Sequence, residues 1–277
     1  MNKILIPTDL SPLTDFAYAL ANKVASRMHA DIEILSIVPA PAKALFDNEG
    51  NLKEDEGEDF SQWHKEKEEL ERKIRDWASD KKDITAIYVK IGRVDEDIVR
   101  YTKERDIDMI VMGTSGADGM EELLRGSHAQ HIIRKASVPV LTLKCDRSDL
   151  ILRDMLLVSD FKADEPLNLD IIKDLQSVFG TRINLLKVNT PRDFETNREV
   201  MQRMMHFATV NDLHNVQYHV YCDQSVEKGI ANFSSDSGID FVCIGTHQRS
   251  DISRLFNHSI SEELVNHIFQ PVLTFPV

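Results

Sequence analysis

Ile4-Leu5-Ile6-Pro7-Thr8-Asp9 returns 151 residues later as Met155-Leu156-Leu157-Val158-Ser159-Asp160. Phe16, Leu20, Val24 and Met28 fall at the same offset on Leu167, Ile171, Leu175 and Phe179, apolar and four apart, the spacing of one helix face. The next strand repeats too, Asp31-Ile32-Glu33-Ile34-Leu35 against Arg182-Ile183-Asn184-Leu185-Leu186. Further on the offset is 132: Ile107-Asp108-Met109-Ile110-Val111-Met112-Gly113-Thr114 matches Ile239-Asp240-Phe241-Val242-Cys243-Ile244-Gly245-Thr246. Val138-Pro139-Val140-Leu141-Thr142-Leu143 matches Gln270-Pro271-Val272-Leu273-Thr274-Phe275 at that same offset. The chain is a tandem duplication. Its first half carries 19 extra residues between Val38 and Tyr88, which include the run from Asp47 to Asp59 with seven acids and one Lys. That run reads as a solvated, mobile loop, able to cover a pocket or engage a partner.

Each half alternates short Ile-, Val- and Leu-rich strands with helix signals and closes on a fifth strand. Ser11-Pro12 reads as an N-cap with proline at the first helical position. Asp59 and Gln62 open a second helix, whose Trp63, Leu70, Ile74 and Trp77 share one face. Alternation of this kind calls for right-handed crossovers and a parallel, doubly wound sheet. The expected fold class is α/β, with two tandem doubly wound domains over residues 1–145 and 150–277. The polar stretch Cys145-Asp146-Arg147-Ser148-Asp149 joins them. The apolar terminal strands Val138–Leu143 and Gln270–Phe275 are edges, and are expected to pair with each other across a pseudo-twofold. One chain then imitates a dimer of single domains, with a further homodimer left open.

A length of 277 residues suits two domains that need neither disulfides nor metals to fold. Lys and Arg total 33 against 46 Asp and Glu, a formal charge of −13. That balance excludes a basic nucleic-acid coat and docking on an anionic membrane. No apolar run reaches the ~18 residues of a membrane span. MNKILIPTDL is too short in its apolar part for a signal peptide. Cys145, Cys222 and Cys243 fit neither a disulfide framework nor a zinc motif, so reduced thiols in the cytoplasm are expected. His206, His214, His219, His247, His258 and His267 show no metal-ligand spacing, and no metal site is expected.

In an open parallel sheet, ligands bind beyond the carboxyl ends of the strands, at the switch point. Pro7-Thr8-Asp9 and Val38-Pro39 end two strands there. Met112-Gly113-Thr114-Ser115-Gly116 ends a third and runs on to Arg125-Gly126-Ser127-His128. Glycines at 113, 116 and 126 let backbone N–H groups approach an anion. Gly126-Ser127 leads into Ala129, Ile132, Ile133 and Ala136 at helical spacing, so the loop presents a helix N-terminus to phosphate oxygens. Ser115 and Ser127 add hydroxyls, and Arg125 adds a counter-charge. The rival readings are structural: glycines that turn a loop, Ser127 as a cap, and Asp9 as the cap of the Ser11-Pro12 turn.

Gly113-x2-Gly116-x9-Gly126-Ser127, after Ile110-Val111-Met112 and before Val138-Pro139-Val140, is similar to the ATP-binding loop of the universal stress protein family. Ile6-Pro7-Thr8-Asp9-x-Ser11 resembles that family's first strand and adenosine-contacting turn. The likeness spans both halves. It implies a five-stranded parallel sheet of order 3-2-1-4-5 in each domain, and an ATP-binding stress protein that can take Mg2+ with the nucleotide. Adenine and ribose would lie near Thr8, Asp9, Val38 and Met112, and phosphates over Gly113, Gly116, Gly126, Ser127 and His128. Asp9 can accept hydrogen bonds from ribose or the adenine amino group, while Val38 and Met112 flank the base.

The second half departs from this pattern. Gly245 remains, but Gln248 and His258 stand where Gly116 and Gly126 would be, and only Ser259 survives of the final pair. Asn189 replaces Val38 and Val158 replaces Pro7, although Asp160 persists. One nucleotide pocket, with the other empty or repurposed, is the expectation. No Walker lysine or dedicated base supports efficient turnover, so no enzyme is expected. Slow hydrolysis or autophosphorylation at a loop serine is left open. The expected action is through conformation or an unidentified protein partner. The alternatives are an interaction module of the same fold that binds no nucleotide, and an adenylate-forming transferase, for whose extra domain no residues remain.

Overall fold

A computed structural model describes residues 1–41, 43–47, 50, 52–53, 59–114, 126–147, 149–162, 165–246 and 268–276. Contacts divide the chain into two compact units, Met1–Val138 and Pro139–Val277. In the first, β1 (Lys3–Pro7), α1 (Pro12–Met28), β2 (Asp31–Pro39), β3 (Leu45–Phe46), β4 (Leu52–Lys53) and α2 (Ser61–Ala78) lead to β5 (Ile84–Gly92). Then come α3 (Val94–Glu104), β6 (Met109–Gly113) and α4 (Gly126–Lys135). The second unit holds β7 (Val140–Leu143), β8 (Asp154–Val158), α5 (Asp170–Phe179), β9 (Arg182–Asn189) and α6 (Asn197–Val210). It continues through β10 (Val216–Cys222), α7 (Val226–Asp236), β11 (Phe241–Thr246) and β12 (Val272–Pro276). Among the described residues no helix is long and apolar enough to cross a membrane.

The second unit orders its repeat strands β10-β9-β8-β11-β12, all parallel, which is 3-2-1-4-5 counted within the half. The first unit shows β5-β2-β1-β6, again parallel, the first four places of that order. Ile4, Leu5, Ile6 and their counterparts Met155, Leu156 and Leu157 are buried, as strands covered on both faces require. The two terminal strands pair as expected. β7 runs antiparallel to β12 within the second unit, Leu141 opposite Leu273. The Thr142 hydroxyl donates to Val272 O at 3.2 Å, and that of Thr274 to Val140 O at 3.3 Å.

Duplication extends to backbone detail. The first strand of each half ends in one tight turn through a left-handed residue, Leu10 (φ +60°) or Phe161 (φ +55°). In both, a hydroxyl and then a carboxylate accept backbone N–H groups two residues on. Thr8 Oγ1 takes Leu10 N and Asp9 Oδ1 takes Ser11 N, each at 2.9 Å. Ser159 Oγ takes Phe161 N and Asp160 Oδ1 takes Lys162 N, each at 3.1 Å. Ser11 is the N-cap of α1 with Pro12 following, but its side chain makes no capping bond, because Asp9 already shapes the turn.

Two expectations need correcting. The helix stripe of the second half does not begin at Leu167. Its N–H is taken by the Asn211 side chain at 2.8 Å, and α5 starts three residues later with Ile172 and Leu175 as its buried face. The extra residues of the first half are not simply solvated where they are described. Leu45–Phe46 pairs antiparallel with Leu52–Lys53. Gly50 is buried, and its carbonyl accepts Lys90 Nζ at 3.4 Å. The Arg93 guanidinium lies over the Phe46 ring, 4.9 Å from its centre. Residues 48–49, 51 and 54–58 of the acidic run lie outside the described residues.

Candidate functional site

The order 3-2-1-4 sends the chain to opposite sides of β1, so the switch point of the first unit lies between the carboxyl ends of β1 and β6. Thr8 is buried there with its polar atoms engaged. Its N–H donates to Leu35 O (2.9 Å), its carbonyl accepts the Ser36 hydroxyl (2.6 Å), and its own hydroxyl shares a 2.6 Å hydrogen bond with that of Thr14. Thr8 therefore shapes the wall. Asp9 is half-buried and uses Oδ1 for the turn. Among the described residues its other oxygen has no hydrogen-bond donor, so the carboxylate keeps an acceptor to offer. Pro7 ends β1, while Val38 near the end of β2 and Met112 near the end of β6 are buried and supply apolar surface.

Gly113 has a packing duty that spacing did not reveal. A Cβ there would stand 2.4 Å from Cβ of Leu13 in the first turn of α1, so the missing side chain lets α1 close onto β6. Thr114 follows. Only 3% of it is exposed, and among the described residues its buried Oγ1 has no hydrogen-bond partner. Its repeat counterpart Thr246 donates to Phe275 O at 3.2 Å. A buried hydroxyl normally finds a partner, and leaving one unpaired costs about 1–3 kcal/mol. Among the described residues the two halves thus differ at one equivalent atom, without a partner in the first and bonded in the second.

Ser115, Gly116 and Arg125 lie outside the described residues, as do the side chains at Gly126 and Ser127. The described part of α4 runs Gly126–Lys135 and buries Ala129, Ile132 and Ile133, with Ala136 just beyond its end. His128 is half-exposed, with Nδ1 3.6 Å from Asp95 Oδ1 on α3. His131, which the sequence reading did not single out, places Nδ1 3.2 Å from the other Asp95 oxygen. Such a pairing joins residues more than thirty positions apart, and no local pattern announces it. Among the described residues no group of three or more His, Cys, Asp or Glu is arranged to hold a metal.

In the second unit, side chains near the end of β9 bond to their own chain. Asn189, in the place of Val38, donates from Nδ2 to Glu195 O at 2.9 Å and so ties down the β9–α6 loop. Lys187, 4% exposed, reaches Asp193 Oδ2 at 2.6 Å and Glu195 Oε1 at 3.3 Å. Arg203 grips Glu195 with both terminal nitrogens. Hydrogen bonding from Arg203, aided by Lys187, holds the Glu195 carboxyl at about 2. Gln248, His258 and Ser259 lie outside the described residues.

Comparison with known proteins agrees with this architecture. The sequence profile of the universal stress protein family matches residues 1–144 and again 163–276. The universal stress protein MJ0531 of Methanocaldococcus jannaschii is 27% identical over 150 residues, covering 51% of this chain and 81% of that protein. MJ0577 of the same organism is 26% identical over 159 residues, covering 51% of this chain and 94% of that protein. Among solved structures, a universal stress protein from Archaeoglobus fulgidus superposes with a TM-score of 0.69 at 19% identity, over 99% of this chain and 96% of its own.

Proposed function

We propose that this chain, which belongs to the universal stress protein family, binds an adenine nucleotide in its first unit and answers it through conformation or choice of protein partner in the cytoplasm. The observation that carries this reading is the Thr114 hydroxyl, buried at the switch point without a partner among the described residues, where the equivalent Thr246 is bonded. A ligand hydrogen bond would relieve it. The half-used Asp9 carboxylate supports the same placement. Pro7, Thr8, Val38 and Met112 would form the walls of the nucleoside end. Gly113, Thr114, Ser115, Gly116, Arg125, Gly126, Ser127 and His128 would surround the phosphates, with Mg2+ bound through them. The second unit would keep its site closed with Asn189, Lys187 and Glu195 and take no nucleotide. The reading is one of binding, with no residue proposed in a catalytic role and slow hydrolysis or autophosphorylation at a loop serine left open.

Isothermal titration of the full chain with Mg-ATP, Mg-ADP and AMP tests this. One site per chain is expected, abolished in a Gly116→Arg, Gly126→Arg double variant that melts at the parent temperature. Absence of heat with all three at millimolar concentration would leave a non-nucleotide interaction module, the reading that the closed second unit already favours for its own half.

A further inference from the structure

Asn184 is buried in β9, and its amide is oriented by what it donates to: Nδ2 meets Asp154 Oδ1 and Met155 O, each at 3.2 Å. Its Oδ1 is therefore an acceptor, and His219 of the neighbouring strand β10 donates to it from Nε2 at 3.0 Å. The half-buried imidazole rests on the Phe233 ring of α7, with centres 4.8 Å apart. Among the described residues its Nδ1 makes no hydrogen bond. The first half secures the same place without an imidazole. Glu33 and Tyr101 are the counterparts of Asn184 and Phe233 at offsets 151 and 132, and the Tyr101 hydroxyl donates to Glu33 Oε2 at 2.7 Å. Ile87 stands there at offset 132 from His219. The charges around His219 come from three elements. Arg182 on β9 grips Asp154 on β8 at 2.5 and 2.9 Å, which holds the Asp154 carboxyl below its ordinary range. On α7, Glu227 and Lys228 lie in the first turn and Asp236 at the last, where it takes the Tyr221 hydroxyl at 3.4 Å. β10 itself has no Asp, Glu, Lys or Arg.

We propose that His219 is a proton-sensitive lock on the edge strand β10, and that a proton on its second ring nitrogen frees the strand from β9 and α7. In the closed strand that proton sits on Nδ1 against the Phe233 ring, with no acceptor among the described residues and the Arg182 guanidinium nearby. In the opened strand water accepts it. Burial first, and then the Arg182 charge, lower the affinity of the closed ring for a proton. The folded value lies below the unfolded one, so the lock is at full strength above about pH 6.5 and weakens as pH falls below it. β10 ends its sheet, and its release bares the N–H and C=O groups of β9 to pairing by another strand. The lock lies within the second unit and is independent of the nucleotide reading.

The test is amide hydrogen exchange of the full chain between pH 7.5 and 5.5, corrected for the intrinsic effect of pH on exchange. Opening of β10 should rise roughly three- to tenfold toward the acid end, the range that uptake of one proton allows, while β5 stays level. His219→Gln keeps a donor for Asn184 and cannot take up a proton, so its β10 should open equally at both ends of the range. Because that variant can itself loosen the strand, the parent ring is also followed by NMR, where it should titrate below the ordinary 6.5 of histidine. Level opening of β10 in the parent, an acid response that survives in His219→Gln, or a ring that titrates at or above 6.5 overturns the lock.

Discussion

A methyl group at Gly113 would stand 2.4 Å from Cβ of Leu13 and 3.2 Å from its carbonyl oxygen, and the second neighbour is backbone that cannot swing away. Gly113→Ala must therefore push α1 off β6. Overpacking of this kind costs about 1–3 kcal/mol, so the melting temperature should fall by roughly 5 °C in a thermal scan, with or without nucleotide. Thr114 behaves in the opposite sense. Thr114→Val swaps a buried hydroxyl that has no partner among the described residues for a methyl of similar size. The ligand-free protein should melt at the same or a higher temperature, yet Mg-ATP should bind about fivefold more weakly, the worth of ~1 kcal/mol of lost hydrogen bond. A variant that melts lower and binds normally would show that the hydroxyl serves the fold.

At the level of elements, the β9–α6 loop is held by charge. Arg203 and Lys187 pull the Glu195 carboxyl from its ordinary value of 4.5 to about 2. The folded value lies below the unfolded one, so the stabilisation is fully present above about pH 4.5 and is lost as pH falls toward 2. Glu195→Gln should cost roughly 1–2 kcal/mol at pH 7, allowing for solvent screening, and nothing near pH 2, measured by urea unfolding at both ends. Strand positions were readable because short apolar runs recur in phase across the duplication. The start of α5 was not, because Leu167 fits the helical spacing while its N–H is claimed by Asn211, 44 residues away. The docking of Gly50 was equally hidden. Its acidic surroundings point to solvent, and only the fold brings the Arg100 side chain to the space that a Cβ would take.

For the whole molecule, duplication copied a scaffold and then let the two switch points diverge. The turn after the first strand is the same in both halves, so the signal at Asp9 and Asp160 was legible but could not discriminate them. What separates them is partly in the sequence, Gln248 and His258 for Gly116 and Gly126 and Asn189 for Val38, and partly tertiary, the Thr114 hydroxyl without a partner among the described residues against the bonded Thr246, and the tether from Asn189 to Glu195. Nucleotide should consequently stabilise one half alone. At a hundred times Kd, a ligand that binds only the folded form adds about 2.7 kcal/mol. Amide hydrogen exchange with saturating Mg-ATP should slow within Met1–Val138, most at the ends of β1 and β6 and the start of α4, and remain unchanged in α5, α6 and β10. Opening the second loop with Glu195→Gln should not confer a second binding event, because Asn189 and the residues at 248 and 258 still lack the glycine approach. Protection spreading equally over both halves would mean that the second unit also takes the ligand, and that closure by Asn189, Lys187 and Glu195 is no barrier to it.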